Sequence, residues 1–198
     1  MLFRKPDRKP KLNQRMHTPE TGDSSISAPV LEMLTVANEY CLFFESAEKY
    51  SSQDILGYFQ KIAPLLYLKG SVMPSAEPPD DIIAERFVTE EEWEQIFKML
   101  RARFGDTDIF YVHDHNNDSV EASLSETIAD VYQDMKDFVM LYGQNTLAAR
   151  QHAIAMLKGL FATRWGPGLI NSLGAVHQRL FSEDIDPDLF AGENQWLI

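Results

Sequence analysis

Apolar residues between Val120 and Tyr142 recur at Leu124, Ile128, Val131, Met135, Phe138 and Tyr142, in alternating steps of four and three. That step follows the turn of an α-helix, so the six side chains form one stripe and predict a long helix whose seam lies in a core. Glu126, Asp130, Asp134 and Asp137 keep the same step on a neighbouring flank. The predicted helix therefore carries an acidic row beside its apolar seam.

Similar spacing marks the rest of the chain. Leu31, Leu34, Ala37, Cys41, Phe44 and Glu48 predict a first helix over Val30 to Lys49, with Pro29 suited to its start. Ser52 reads as the N-cap of a second helix through Ile55, Leu56, Phe59, Ile62 and Leu66. Pro64 predicts a kink or break inside it, and Gly70 and Pro74 close it. Pro78 and Pro79 with Glu77, Asp80 and Asp81 mark Ser75 to Arg86 as a loop.

Thr89 followed by Glu92 is a capping-box signature for a third helix over Glu90 to Phe104, with Gly105 as its terminator. Asp108 to His113 is β-like but solitary, and reads as an extended connector. Asn145 reads as the cap of a fifth helix carrying Leu147, Ile154, Leu157, Leu160 and Phe161. Gly166, Pro167 and Gly168 then turn the chain into a sixth with Ile170, Leu173, Val176, His177 and Leu180.

The expected class is all-α: a single helical bundle of about six helices with an extended connector before helix four. Short links should make helices four, five and six antiparallel neighbours. Residues 1–29 read as a disordered lead, basic and then polar, 30–181 as the bundle, and 182–198 as an acidic C-terminal tail ending in Trp196, Leu197 and Ile198. That apolar end either packs on the bundle or docks on a second copy, which leaves a homodimer open.

Composition narrows the partners. The net charge is −12, yet Arg4, Lys5, Arg8, Lys9, Lys11 and Arg15 face only Asp7 in the first fifteen residues. The folded body is thus more acidic than the whole, and nucleic-acid binding by it is not expected. The basic stretch reads as a solvated arm, with translation starting at Met1 or at Met16. Cys41, the single cysteine, reads as a small core residue of a reducing compartment. No apolar run approaches a membrane span and no secretory h-region follows the basic N-terminus, so a cytoplasmic location is expected.

Two clusters are candidates for chemistry. Glu126, Asp130 and Asp134, four residues apart, would hold Mg²⁺ or Mn²⁺ together with Glu45 or Glu48, as all-α nucleotide pyrophosphohydrolases do with paired acidic motifs. The spacing departs from that pattern, because Glu45 and Glu48 lie far upstream of Asp134 and Asp137. His113, Asp114, His115 and Asp118 form the densest ligand cluster, with Asp114, Asn116 and Asp118 matching the opening of a calcium loop. Ser119 stands where that loop requires glycine, so turn and cap roles are the plainer reading. His152 and His177 read as packed or surface residues, and Trp93 and Trp165 as core anchors or a ligand shelf. No cofactor is predicted.

The run Leu124-Ser125-Glu126-Thr127-Ile128-Ala129-Asp130-Val131-Tyr132-Gln133-Asp134-Met135-Lys136 resembles a bacterial helical family catalogued as domain of unknown function 5063. Leu65-Leu66-Tyr67-Leu68 ahead of Met73-Pro74, and Arg164-Trp165-Gly166, are similar to its Leu-Tyr segment and Trp-Gly turn. The resemblance spans roughly Val30 to Leu180. It implies an all-helical bundle and no activity, substrate or cofactor. Where that family often has a histidine after Trp-Gly, this chain has Pro167 and Gly168, which speaks against a metal ligand at the turn.

The leading expectation is a binding or adaptor module for a protein partner, using the acidic face or a groove beside helix four, with Glu126, Asp130, Asp134 and Trp165 as contact residues. The alternative is a metal-dependent hydrolase built on Glu126, Asp130 and Asp134.

Overall fold

The computed structural model describes residues 24–77, 86–114 and 116–181. The expected lead up to residue 23, the centre of the Ser75–Arg86 loop, His115 and the C-terminal tail lie outside the described residues.

Among the described residues six α-helices follow in order: α1 Ala28–Glu45, α2 Ser52–Ser71, α3 Glu90–Phe104, α4 Leu124–Gly143, α5 Leu147–Leu160 and α6 Gly166–Phe181. Between α3 and α4 stands a small antiparallel hairpin of β1, Ile109–His113, and β2, Ser119–Ser123. The fold is mostly helical and bundle-like. Helix α4 is its centre, packed against α1, α3 and α5, while α2 packs against α1 and α6.

Every residue of the apolar stripe on α4 is buried, from Leu124 to Tyr142, as the spacing predicts. Two tyrosines tie other elements to this helix: Tyr40 on α1 donates to the Ile128 carbonyl at 3.1 Å, and Tyr142 donates to the Ser25 carbonyl at 2.7 Å. Cys41 lies in the same core, where burial pushes its thiol up to about 12; it is no thiolate at neutral pH.

Local signals hold at the caps. Thr89 accepts from the Glu92 amide while Glu92 accepts from the Thr89 amide, which closes the capping box of α3. Gly105 ends that helix at φ 52°, a backbone conformation that favours glycine. Ser51, one residue before the expected Ser52, caps α2 through a box with Asp54. Pro64 does not break α2, which runs through it to Ser71.

Three further expectations change. Ile109–His113 is no unpaired connector: it pairs in register with Ser119–Ser123, so Val120 belongs to a strand and α4 starts at Leu124. Thr146, not Asn145, caps α5, accepting from the Ala149 amide, and Asn145 instead makes the turn at φ 58°. Finally, α5 and α6 are not antiparallel neighbours. Residues Phe161–Trp165 form a π-helical segment that carries α5 directly into α6, and the two helices pack on different partners, α4 and α2.

The π segment has a packing cause. Trp165 is fully buried and donates its indole N–H to the Leu157 carbonyl at 3.1 Å. Its ring and Phe161 press on α2 at Gly70, where an added Cβ would sit 2.3 Å from Trp165 and 2.8 Å from Phe161. A wider turn aims both aromatic rings at α2 and leaves Arg164 facing α4.

Candidate functional site

The acidic row of α4 does not lie on one exposed face. It starts at the surface and descends into the core. Glu126, in the first turn of α4, is exposed; Asp130 is half-buried; Asp134 and Asp137 have no solvent-accessible side-chain surface. Buried carboxylates require partners, and two arginines from distant segments supply them.

Arg86, just before α3, donates to Asp134 at 3.1 Å and to Asp137 at 3.0 Å. The other oxygen of Asp137 accepts the backbone amides of Phe87 at 2.8 Å and Val88 at 3.0 Å, so this carboxylate fastens the segment leading into α3. Arg164, from the π segment, pairs with Asp130 at 3.0 Å and Asp134 at 3.3 Å, and donates to Gln133 at 3.2 Å. Trp93 on α3 donates its indole N–H to Asp130 at 3.1 Å. The Oδ2 of Asp134 has no hydrogen-bond partner among the described residues. Burial pushes the Asp134 carboxyl up to about 6, a rise that Arg164 and Arg86 only partly oppose.

Glu45 does not converge on this network. It accepts from Lys136 at 2.6 Å and Tyr132 at 3.2 Å, on another flank of α4. The carboxylates of the expected hydrolase site are therefore separated, and Asp130 and Asp134 are already engaged by arginine.

A second carboxylate, which the sequence reading passed over, builds the ground beside Glu126. Asp108 is buried and accepts from the Ser125 amide at 2.8 Å, the Ser123 hydroxyl at 2.6 Å and the Arg101 guanidinium. Burial acts to raise its pKa, but these hydrogen bonds prevail and hold it below the usual carboxylate value. It joins the end of α3, both ends of the hairpin and the start of α4. The signal for it was faint: an aspartate at the head of a β-like run, with serines fifteen and seventeen residues on.

Between these elements lies a groove of about 470 Å³ lined by Phe97, Arg101, Ile109, Glu121, Ser123 and Glu126. Phe97 stacks on Trp93, ring centres 5.1 Å apart. Arg101 is held by Asp108, so the charges left facing the groove are the carboxylates of Glu121 and Glu126, neither in an ion pair among the described residues.

Trp165 is a core residue and offers no shelf. His113 is exposed at the end of β1. Asp114 closes the hairpin turn, its carboxylate accepting the amides of Asn116 at 2.9 Å and Asp118 at 2.8 Å, with Asn117 at φ 65°. Asp118 is exposed in that turn. Among the described residues no group of three or more His, Cys, Asp or Glu side chains is placed to hold a metal ion.

Fold and site together define a class of protein: a helical bundle with a hairpin inserted ahead of its central helix, braced by buried aspartate–arginine pairs. The chain belongs to the family described as domain of unknown function DUF5063, which matches residues 24–182. It is similar to protein BF1032 from Bacteroides fragilis, whose crystal structure superposes with a TM-score of 0.73 at 31% identity, covering 80% of this chain and 96% of that one. No curated protein matches. Among the described residues no helix is long and apolar enough to cross a membrane.

Proposed function

We propose that this protein is a cytoplasmic binding module of bacterial cells, in which residues 30–181 form the body and the groove between α3, the hairpin and the start of α4 captures a basic segment of a partner protein. The observation that carries the reading is the pair of unengaged carboxylates, Glu121 and Glu126, facing a groove with Phe97 and Trp93 at its side. Lysine or arginine side chains find there both opposite charge and an aromatic face. The buried part of the row, Asp134 and Asp137, acts as a brace that fixes α3 against α4 and so sets the groove's width.

Titration calorimetry with a tetra-arginine peptide tests this. Saturable binding that weakens as salt rises is expected, with at least a tenfold loss in the Glu121→Lys, Glu126→Lys double variant at unchanged melting temperature. Equal affinity in the double variant would remove the groove from the proposal.

A further inference from the structure

The hairpin has a second side that the groove does not use. The Asp114 amide donates to the Asp118 carbonyl at 3.0 Å, so residue 114 points into the ladder. With Val112 opposite Val120 and Phe110 opposite Ala122, the amides and carbonyls of these two residues then point inward too, and His113, Tyr111 and Ile109 turn theirs outward. Arg179 on α6 confirms that direction by donating to the Ile109 carbonyl at 2.8 Å. Tyr111 and His113 have no backbone partner on that edge among the described residues. The edge opens on a cleft of about 680 Å³ between β1 and α6, lined by Asp106, Phe110, Tyr111, Asn171, Ala175 and Gln178. Tyr111 is 68% exposed.

An open strand edge beside a cleft is a template for a further strand. We infer that an extended segment of a partner protein, alternating basic and apolar side chains, adds to β1 as a third strand through the amide and carbonyl of Tyr111 and His113. The alternation follows from the two faces of the sheet. On one, Tyr111 stands opposite Glu121 in register, an aromatic ring and a carboxylate suited to lysine or arginine. On the other, Phe110 and Ala175 offer an apolar floor. Charge selects the same partner: the chain carries −12, Asp106 is unpaired at the rim among the described residues, and Arg179 is held by the carbonyls of Ala175 and Ile109. This site shares Glu121 and Ile109 with the groove beyond β2 but differs from it in using the open backbone edge of β1.

The probe is a fluorescein-labelled nine-residue peptide of alternating lysine and valine, added to the full chain. Amide exchange at Tyr111 and His113 is expected to slow by at least tenfold at saturation. Tyr111→Pro, which removes an outward amide and leaves the ladder to β2 intact, should weaken binding at least tenfold, and at least threefold more than Tyr111→Thr, which loses the ring but keeps that amide. Unchanged exchange at the two amides of the wild type overturns the inference, whether or not the proline variant folds. So does equal affinity for the same peptide N-methylated at alternate residues, or for its glutamate–valine counterpart. Equal tetra-arginine affinity in the wild type and the groove double variant, with the lysine–valine peptide still protecting Tyr111 in the wild type, would sink only the groove.

Discussion

Replacing Asp137 with alanine removes the acceptor for three donors at once: the Arg86 guanidinium at 3.0 Å and the amides of Phe87 and Val88 at 2.8 and 3.0 Å. A buried donor left without a partner costs about 1–3 kcal/mol. Val88 is buried and Phe87 partly so, and both amides are tethered next to α3, with little freedom to turn toward water. Arg86 contributes less, because its side chain is 43% exposed and keeps its bond to Asp134. The expected loss is about 3 kcal/mol, a large share of the 5–15 kcal/mol typical of a domain. Asp137→Asn keeps an acceptor for both amides and should cost about 1 kcal/mol. Urea unfolding of the full chain at pH 7 reads the difference: with a slope of about 2 kcal/mol/M, the alanine midpoint should fall by about 1.5 M and the asparagine midpoint by about a third of that. Equal midpoints for the two variants, or an alanine loss below about 1 kcal/mol, would refute the claim that Asp137 fastens the segment before α3.

Other perturbations test separate parts of the structure. Gly70→Ala should cost about 2 kcal/mol or more in urea unfolding, because the new methyl meets two rigid, buried rings at 2.3 and 2.8 Å; a neutral substitution would mean that α2 and the π segment are not in contact. Asp134 holds its proton up to about pH 6 in the folded chain, so its contribution to stability is fully present below about pH 4 and is lost as the pH rises through 6. The stability difference between wild type and Asp134→Asn should therefore fall by on the order of 2 kcal/mol from pH 4 to pH 7, and parallel profiles would contradict a raised carboxyl. Asp108 has the opposite sign: its depressed pKa supplies stability above its unfolded value that disappears on acidification, and Asp108→Asn should blunt the acid limb of the unfolding profile. Thr89→Ala should cost about 1 kcal/mol by opening the capping box of α3, read as a lower melting temperature.

The hairpin shows where sequence reading stopped. Ser119-Val-Glu-Ala-Ser holds one strong β-former and two serines, so nothing local marks it as a strand. Pairing comes from the ladder with Ile109–His113 and from Asp108, which clamps the hairpin to α3 and α4. The candidate site divides in the same way. Glu126, Asp130 and Asp134 were visible as a row, but their burial was not. Arg86 stands forty-eight residues before Asp134, and Arg164 reaches α4 only because a π turn points it there.

The spacing of apolar residues was enough to set the helices and the seam of α4, and Thr89 with Glu92 the cap of α3, because each depends on neighbours within one or two turns of the chain. Which carboxylates stayed in water, and which strand edge and grooves remained open, was settled only when distant segments met. A charge becomes buried or exposed by what covers it, and in this chain the covering residues come from elsewhere in the sequence.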